Sequence, residues 1–223
     1  MLHLLCTASV ALSSSGVGPL PSTFGGKLPA LSGPVATGFG RGSKKLGVPT
    51  ANLPCSLFQQ QLDDLPRGVY VGWAAVRGGV HRCVCNVGMS PTFAETNPEK
   101  IVEAHLMAEF DGDFYGETMR LLLLGFIRDE RKFGSLDELL TTIRADIATA
   151  NAALEAQPFA ALASTPWLKE AVADDAAAEY RLLSSTSSDD GTVAQQGAAA
   201  APAKEAGEQF GIPPKGFEWG GLY

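Results

Sequence analysis

Between Gly68 and Ile127 apolar residues recur mostly at every second position, the spacing of strands rather than helices. "GVYVGWAAV" (68–76) and "VHRCVCNVG" (80–88) flank Gly78-Gly79 and predict a hairpin. "KIVEAHLMAEF" (100–110) predicts a third strand, turned by Asp111-Gly112-Asp113, and "ETMRLLLLGFI" (117–127) a fourth with a central apolar run. Short strands punctuated by Gly and Pro point to an antiparallel barrel or sandwich. The period then lengthens. Leu136, Leu139, Leu140, Ile143, Ile147 and Leu154 fall on one side of a helix, and Ser135 with Glu138 predicts a capping box at its start. The pattern as a whole reads as a β-barrel capped by one late helix, with the helical stripe serving the core.

Charge divides the chain further. Residues 1–26 hold no Lys, Arg, Asp or Glu and are rich in Ser, Gly and Pro, so they are expected to lie outside the packed core, as a disordered or transit extension. Residues 27–155 carry 13 basic and 15 acidic side chains and read as one domain. Residues 156–183 form an Ala-rich, partly helical extension, and 184–223 a low-complexity acidic tail. A nearly balanced domain without a basic face argues against nucleic acid as a partner. No apolar run is long enough to span a membrane. The N-terminal apolar stretch lacks a preceding basic residue, which argues against secretion and leaves a cytoplasmic or plastid location. Cys83 and Cys85 share one strand face, lack the spacing of a metal or redox motif, and are expected to fill space in a reducing compartment.

The chemistry concentrates in "GFGRGSKKLGVPTANLP" (38–54). Ser43 stands where a Walker loop needs its second Gly and a dinucleotide fingerprint its third, and Pro49 and Pro54 oppose a following helix. Glycines 38, 40 and 42 can still let backbone N–H groups curl round an anion, with Arg41, Lys44 and Lys45 adding charge; a solvated surface hairpin is the alternative. Thr50 and Asn52 are two apart, so an extended backbone points their hard oxygens the same way, an arrangement suited to Mg²⁺.

Glu103 is the second candidate. A mid-strand carboxylate is costly if buried without a partner, and could act as a general base or simply face solvent. His105 shares its face and reads as structural. Arg128 could pair with Asp129 or Glu130 or face a ligand, and Phe133 could stack on a ligand or seal the helix start.

Taken in order, the glycine-to-Asn52 motif, Gly68-Val69-Tyr70, "NVGMSPTF" (86–93), Glu103-Ala104-His105-Leu106, "DFYGE" (113–117) and "FIRDERKF" (126–133) resemble the riboflavin kinase (flavokinase) family over about residues 27–154. The resemblance implies a six-stranded antiparallel Greek-key barrel with a C-terminal helix. It also implies transfer of the ATP γ-phosphoryl group to the ribityl 5′-hydroxyl of riboflavin, with FMN and ADP as products. It places Gly38, Gly40 and Lys44 at the ATP phosphates. Thr50 and Asn52 would sit at Mg²⁺ and phosphate, with Zn²⁺ or Mn²⁺ as alternative ions, and Glu103 would be the base. Leu106, Ala108 and Tyr115 would lie on the adenine side, and Arg128 and Phe133 against the flavin. Met89-Ser90 departs from the pair found in many relatives. With 26 residues before Lys27, FMN without FAD synthesis is expected, from a monomer. The rival reading is a non-catalytic flavin- or nucleotide-binding barrel.

Overall fold

The computed structural model describes residues 16–20, 26–37, 47–58, 62–89, 100–170 and 179–184. Among them run β1 (Lys27–Pro34), β2 (Ala51–Leu53), β3 (Gly68–Val76), β4 (Gly79–Met89), β5 (Lys100–Leu106) and β6 (Thr118–Arg128). Three helices follow, α1 (Leu136–Glu155), α2 (Phe159–Leu162) and α3 (Pro166–Lys169), and then β7 (Glu179–Ser184). None of the described helices is long and apolar enough to cross a membrane.

The strands form one antiparallel sheet in the order β2-β5-β4-β3-β6-β1-β7. Strands β3, β4 and β5 pair in succession and β6 returns beside β3, which is a Greek key. The sheet curls until the residue after Val35 meets β2, where Ala36 N–H donates to Asn52 O (2.8 Å). The six-stranded barrel inferred from the resemblance is therefore present, with β7 added on the outer edge of β1 in register Lys27↔Ser184 to Ser32↔Glu179.

The β3–β4 hairpin turns one residue earlier than its Gly-Gly pair suggests. Val76 pairs with Gly79, so Arg77-Gly78 forms the two-residue turn, both at positive φ (52° and 72°). Arg77 is held in this conformation by the β5–β6 connection. Its Nε and Nη2 donate to the Glu117 carboxylate, and Nη1 and Nη2 donate to the carbonyls of Asp111 and Asp113 at 3.0 Å. The third strand is shorter than its apolar pattern, ending at Leu106.

Alternation gives the sheet two buried faces. Leu31, Tyr70, Cys83, Cys85, Val102 and Leu123 point inside the barrel. Neither buried thiol is in a disulfide, and burial pushes the Cys83 thiol well up, as suits an inert filler. Val69, Val71, Val84 and Leu122 point outward against Leu139 and Ile143 of α1. At the start of α1, Ser135 Oγ accepts from Glu138 N–H (3.2 Å). Glu138 reaches back to Gly134 N–H (3.0 Å), one residue before the reciprocal donor of a standard capping box. Of the predicted stripe, Leu139, Ile143 and Leu154 are buried whereas Leu136 is exposed.

Two segments outside the predicted 27–155 domain contribute to its core. Gly18 exchanges backbone hydrogen bonds with Phe126 (2.7 and 3.0 Å), and Val17 is buried beside Gly125. A Cβ on Gly125 would lie 2.4 Å from Val17 Cγ1, so the glycine is what admits this contact. Within the Ala-rich extension, α2 and α3 cover the outer face of β3 and β6. Trp73 Nε1 donates to Phe159 O (2.9 Å), while Arg120 Nη1 donates to Trp167 O and to Glu170 O (3.1 Å). Residues 185–223, and so nearly all of the predicted acidic tail, lie outside the described residues. Trp167 is 1% exposed. Trp167→Ala is therefore expected to cost about 3–5 kcal/mol in urea unfolding; a loss under about 1 kcal/mol would show that the extension is not part of the folding unit.

Candidate active site

Strand register lines up one polar row across the outer face of the sheet. Asn52 on β2 lies opposite Glu103 on β5, Glu103 opposite Asn86 on β4, Asn86 opposite Val69 on β3, and Val69 opposite Arg128 on β6. Directly opposed residues share a face, so these five side chains project to one side. The neighbours confirm which side. Ala51, Leu53, Val102 and Ala104 fill the barrel, which turns Asn52 and Glu103 outward. Arg128 joins the row through a bulge: Tyr70 pairs with Phe126 but Val69 pairs with Arg128, so Ile127 is the extra residue and the alternation resets.

At the β2 end, Thr50 and Asn52 are half-buried and two residues apart, as is Glu103 across the ladder in burial. His105 Nδ1 donates to Pro49 O (2.9 Å), tying the residue before Thr50 to β5. His105 thus has the structural role expected of it. Helix α1 packs against β3, β4 and β6.

At the β6 end, Arg128 does not pair with the carboxylate of Asp129 or Glu130, although its Nη1 donates to the Asp129 carbonyl (3.0 Å). It makes a bidentate contact with Asp146 of α1, Nε and Nη2 donating to the carboxylate at 2.7–3.1 Å. Asp146 is 4% exposed, so this is a charge pair sealed under the helix. The guanidinium groups of Arg128 and Arg131 lie 5.8 and 4.8 Å from the Phe133 ring centroid. Phe133 is buried in the outer core and does seal the helix start.

Between the two ends, Glu130 folds back over β4. Asn86 Nδ2 donates to Glu130 Oε1 (3.4 Å), and a Cβ built on Gly88 would stand 2.2 Å from that same oxygen. Only a glycine at 88 lets the carboxylate descend this far.

The remaining candidates separate. Gly38, Gly40 and Lys44 lie outside the described residues, as do Ser90 to Phe93 of "NVGMSPTF". Leu106 points into the barrel core, so its main chain rather than its side chain is what a ligand could meet. Ala108 is half-buried just beyond β5, and Tyr115 is 52% exposed on the β5–β6 connection. Asn86, Glu130 and Asp146 escaped the sequence reading as individual candidates, although a mid-strand Asn inside "CVCNVG" was a visible anomaly.

The donor set at the β2 end suits a hard divalent cation only in part. Thr50 and Asn52 supply neutral oxygens, and no cluster of three or more His, Cys, Asp or Glu able to hold a metal exists among the described residues. Such a set fits an ion that takes the rest of its shell from phosphate and water.

Comparison with known proteins points the same way. The flavokinase family model, described as riboflavin kinase, matches residues 26–154. The chain is 43% identical over 124 residues to human riboflavin kinase, covering 55% of this chain and 79% of the relative. It is 40% identical over 164 residues to the bifunctional riboflavin kinase/FMN phosphatase of Arabidopsis thaliana, covering 71% of this chain but 43% of that longer protein. The crystal structure of riboflavin kinase from Trypanosoma brucei shares the fold, with TM-score 0.56 at 23% identity over 70% of this chain and 94% of the other.

Two outcomes follow from the geometry. Asp146→Ala strands Arg128 beneath α1 and is expected to destabilise the protein by about 3 kcal/mol in urea unfolding, whereas an exposed pair would cost under about 1 kcal/mol. A second concerns pH. His81, edge-on to Phe110 at 5.0 Å, is held below its ordinary value of 6.5 by desolvation. The native state therefore binds fewer protons than the unfolded one, and this contribution is complete above 6.5 and lost as pH falls below it. Glu117, held down by its hydrogen bonds to Arg77, loses its contribution in a lower window, beneath 4.5. The thermal midpoint is expected to drop between pH 7 and 5, with His81→Gln flattening that segment; equal slopes in both proteins would assign the drop elsewhere.

Proposed function

Because the chain belongs to the riboflavin kinase family, we propose that it transfers the γ-phosphoryl group of ATP to the ribityl 5′-hydroxyl of riboflavin, releasing FMN and ADP. The observation that carries the mechanism is Glu103, half-buried on the outer face with Asn52 on one side and Asn86 on the other. Phosphoryl transfer needs little covalent chemistry from the protein; it needs alignment and charge neutralisation. Glu103 orients the 5′-hydroxyl and accepts its proton as the new P–O bond forms. Partial burial holds that carboxylate at the edge of the packed outer face, where the substrate hydroxyl can reach it.

Thr50 and Asn52 hold a divalent cation, Mg²⁺ by the hardness of their oxygens, with Zn²⁺ or Mn²⁺ as alternatives. When bound, that ion neutralises charge on the phosphates. Gly38, Gly40 and Lys44 cradle the phosphates, while the main chain at Leu106 with Ala108 and Tyr115 borders the adenine. Arg128 and Phe133 border the flavin ring, held by Asp146 and by the outer core respectively. The protein acts as a monomer, in the cytoplasm or a plastid.

Purified protein is expected to form ADP only when riboflavin and a divalent cation are both present, and chelator should stop it. Riboflavin binding without ADP formation would favour the non-catalytic barrel. Glu103→Gln should lower kcat by ~10²–10⁴ while nucleotide affinity is kept; near-parental turnover would remove Glu103 from the chemistry.

A further inference from the structure

Asn86 is the most constrained polar side chain of the outer face. It is 0% exposed, and its Oδ1 is buried with no hydrogen-bond partner. An unsatisfied buried amide oxygen forfeits its hydration without compensation, so a protein that keeps one has a use for it or fills it in another state. The amide cannot be turned round to remove the problem. Its nitrogen faces Glu130 Oε1 at 3.4 Å, and exchanging the two ends would set oxygen against carboxylate.

Three features locate the missing partner. Asn86 lies directly opposite Glu103, one strand spacing away on the same face. Glu130 covers it from above, and the carboxylate sits in the room that Gly88 leaves by lacking a Cβ. The partner must be a donor, because Oδ1 can only accept. We infer that Asn86 reads the polyol chain of the acceptor substrate: its Oδ1 accepts a secondary hydroxyl of that chain after the Glu130 carboxylate lifts from Gly88. This rests on the riboflavin kinase reading, with Glu103 at the terminal hydroxyl. Adjacent strands are ~4.8 Å apart, a separation matched by the four bonds that join the 5′- and 3′-oxygens of an extended polyol, so the 3′-hydroxyl is the one assigned to Asn86. As placed here, Glu130 takes the N–H₂ end of the amide, and the substrate competes with it for the space over Gly88.

The test compares riboflavin with its 2′-, 3′- and 4′-deoxy analogues in the full chain. In the parent, loss of the 3′-hydroxyl should lower kcat/KM by about 10-fold, the worth of one buried hydrogen bond to a neutral group. Asn86→Leu should be slower on riboflavin but lose no further activity on the 3′-deoxy analogue, while still discriminating against the other two as the parent does. A structural role for Asn86 would depress all four substrates alike and preserve the 3′-deoxy penalty, and that result overturns the inference. Glu130→Ala provides a check that leaves Asn86 intact: riboflavin, followed by its fluorescence, should bind several-fold more tightly. Affinity unchanged or weakened would equally overturn it. Absence of any riboflavin turnover in the parent strikes the kinase reading itself, whereas turnover with equal deoxy penalties in parent and Asn86→Leu strikes this inference alone.

Discussion

A sheet buried on both faces has almost nowhere to put a polar side chain, and that constraint organises the molecule. Strands β3, β4 and β6 send one set of residues into the barrel and the other beneath α1 and the extension, so both alternating sets must be apolar. Helix α1 packs on these three strands, whereas β5 and β2 lie beyond the ones it covers. Outward positions there can be polar without full desolvation, and they carry Asn52, Glu103 and His105. The candidate site thus occupies the outer face of the barrel at the margin of the helix. Where that margin crosses β4, the polar residue Asn86 is fully enclosed, and its cost is correspondingly higher.

The ion pair between Arg128 and Asp146 fixes that margin. Taking both charges out of water is expensive, and the bidentate geometry offsets the cost rather than yielding large net stability. Its contribution is positional. A bulge in β6 turns Arg128 to the helix side, Asp146 receives it, and the short segment between them must run across the end of the sheet. Phe133 anchors the far end of that segment in the core and Ser135 caps α1. Glu130, in the middle, is thereby delivered onto Gly88.

What could be read in the sequence was local. The β3 span, the approximate limits of β4 and β6, and the start of α1 follow from period and capping residues. Parity alone put Glu103 and His105 on one side, because a strand residue's face depends only on its count along the chain. What could not be read was set by partners far away. Strand β7 lies in an Ala-rich stretch whose composition favours helix, and it is a strand because β1 offers an open edge. Val17 enters the core because Gly125 makes room more than one hundred residues later. Arg128 finds Asp146 instead of its acidic neighbours because a bulge, which leaves no signature in composition, decides the direction of the side chain.

The pairing of β7 with β1 has a consequence for architecture. Lys27 opens the first strand of the sheet and Ser184 closes the last, and the two are partners across an antiparallel ladder. The first strand of the sheet therefore begins within one residue-pair spacing, ~5 Å, of where the last one ends, while Val17 and Gly18 join the core ahead of both. A sheet whose first and last strands are neighbours keeps both ends of its ladder on one edge, so flanking chain can be attached there without crossing the barrel. Fusion to a second enzyme, as in the longer Arabidopsis relative, then requires no rearrangement of the barrel.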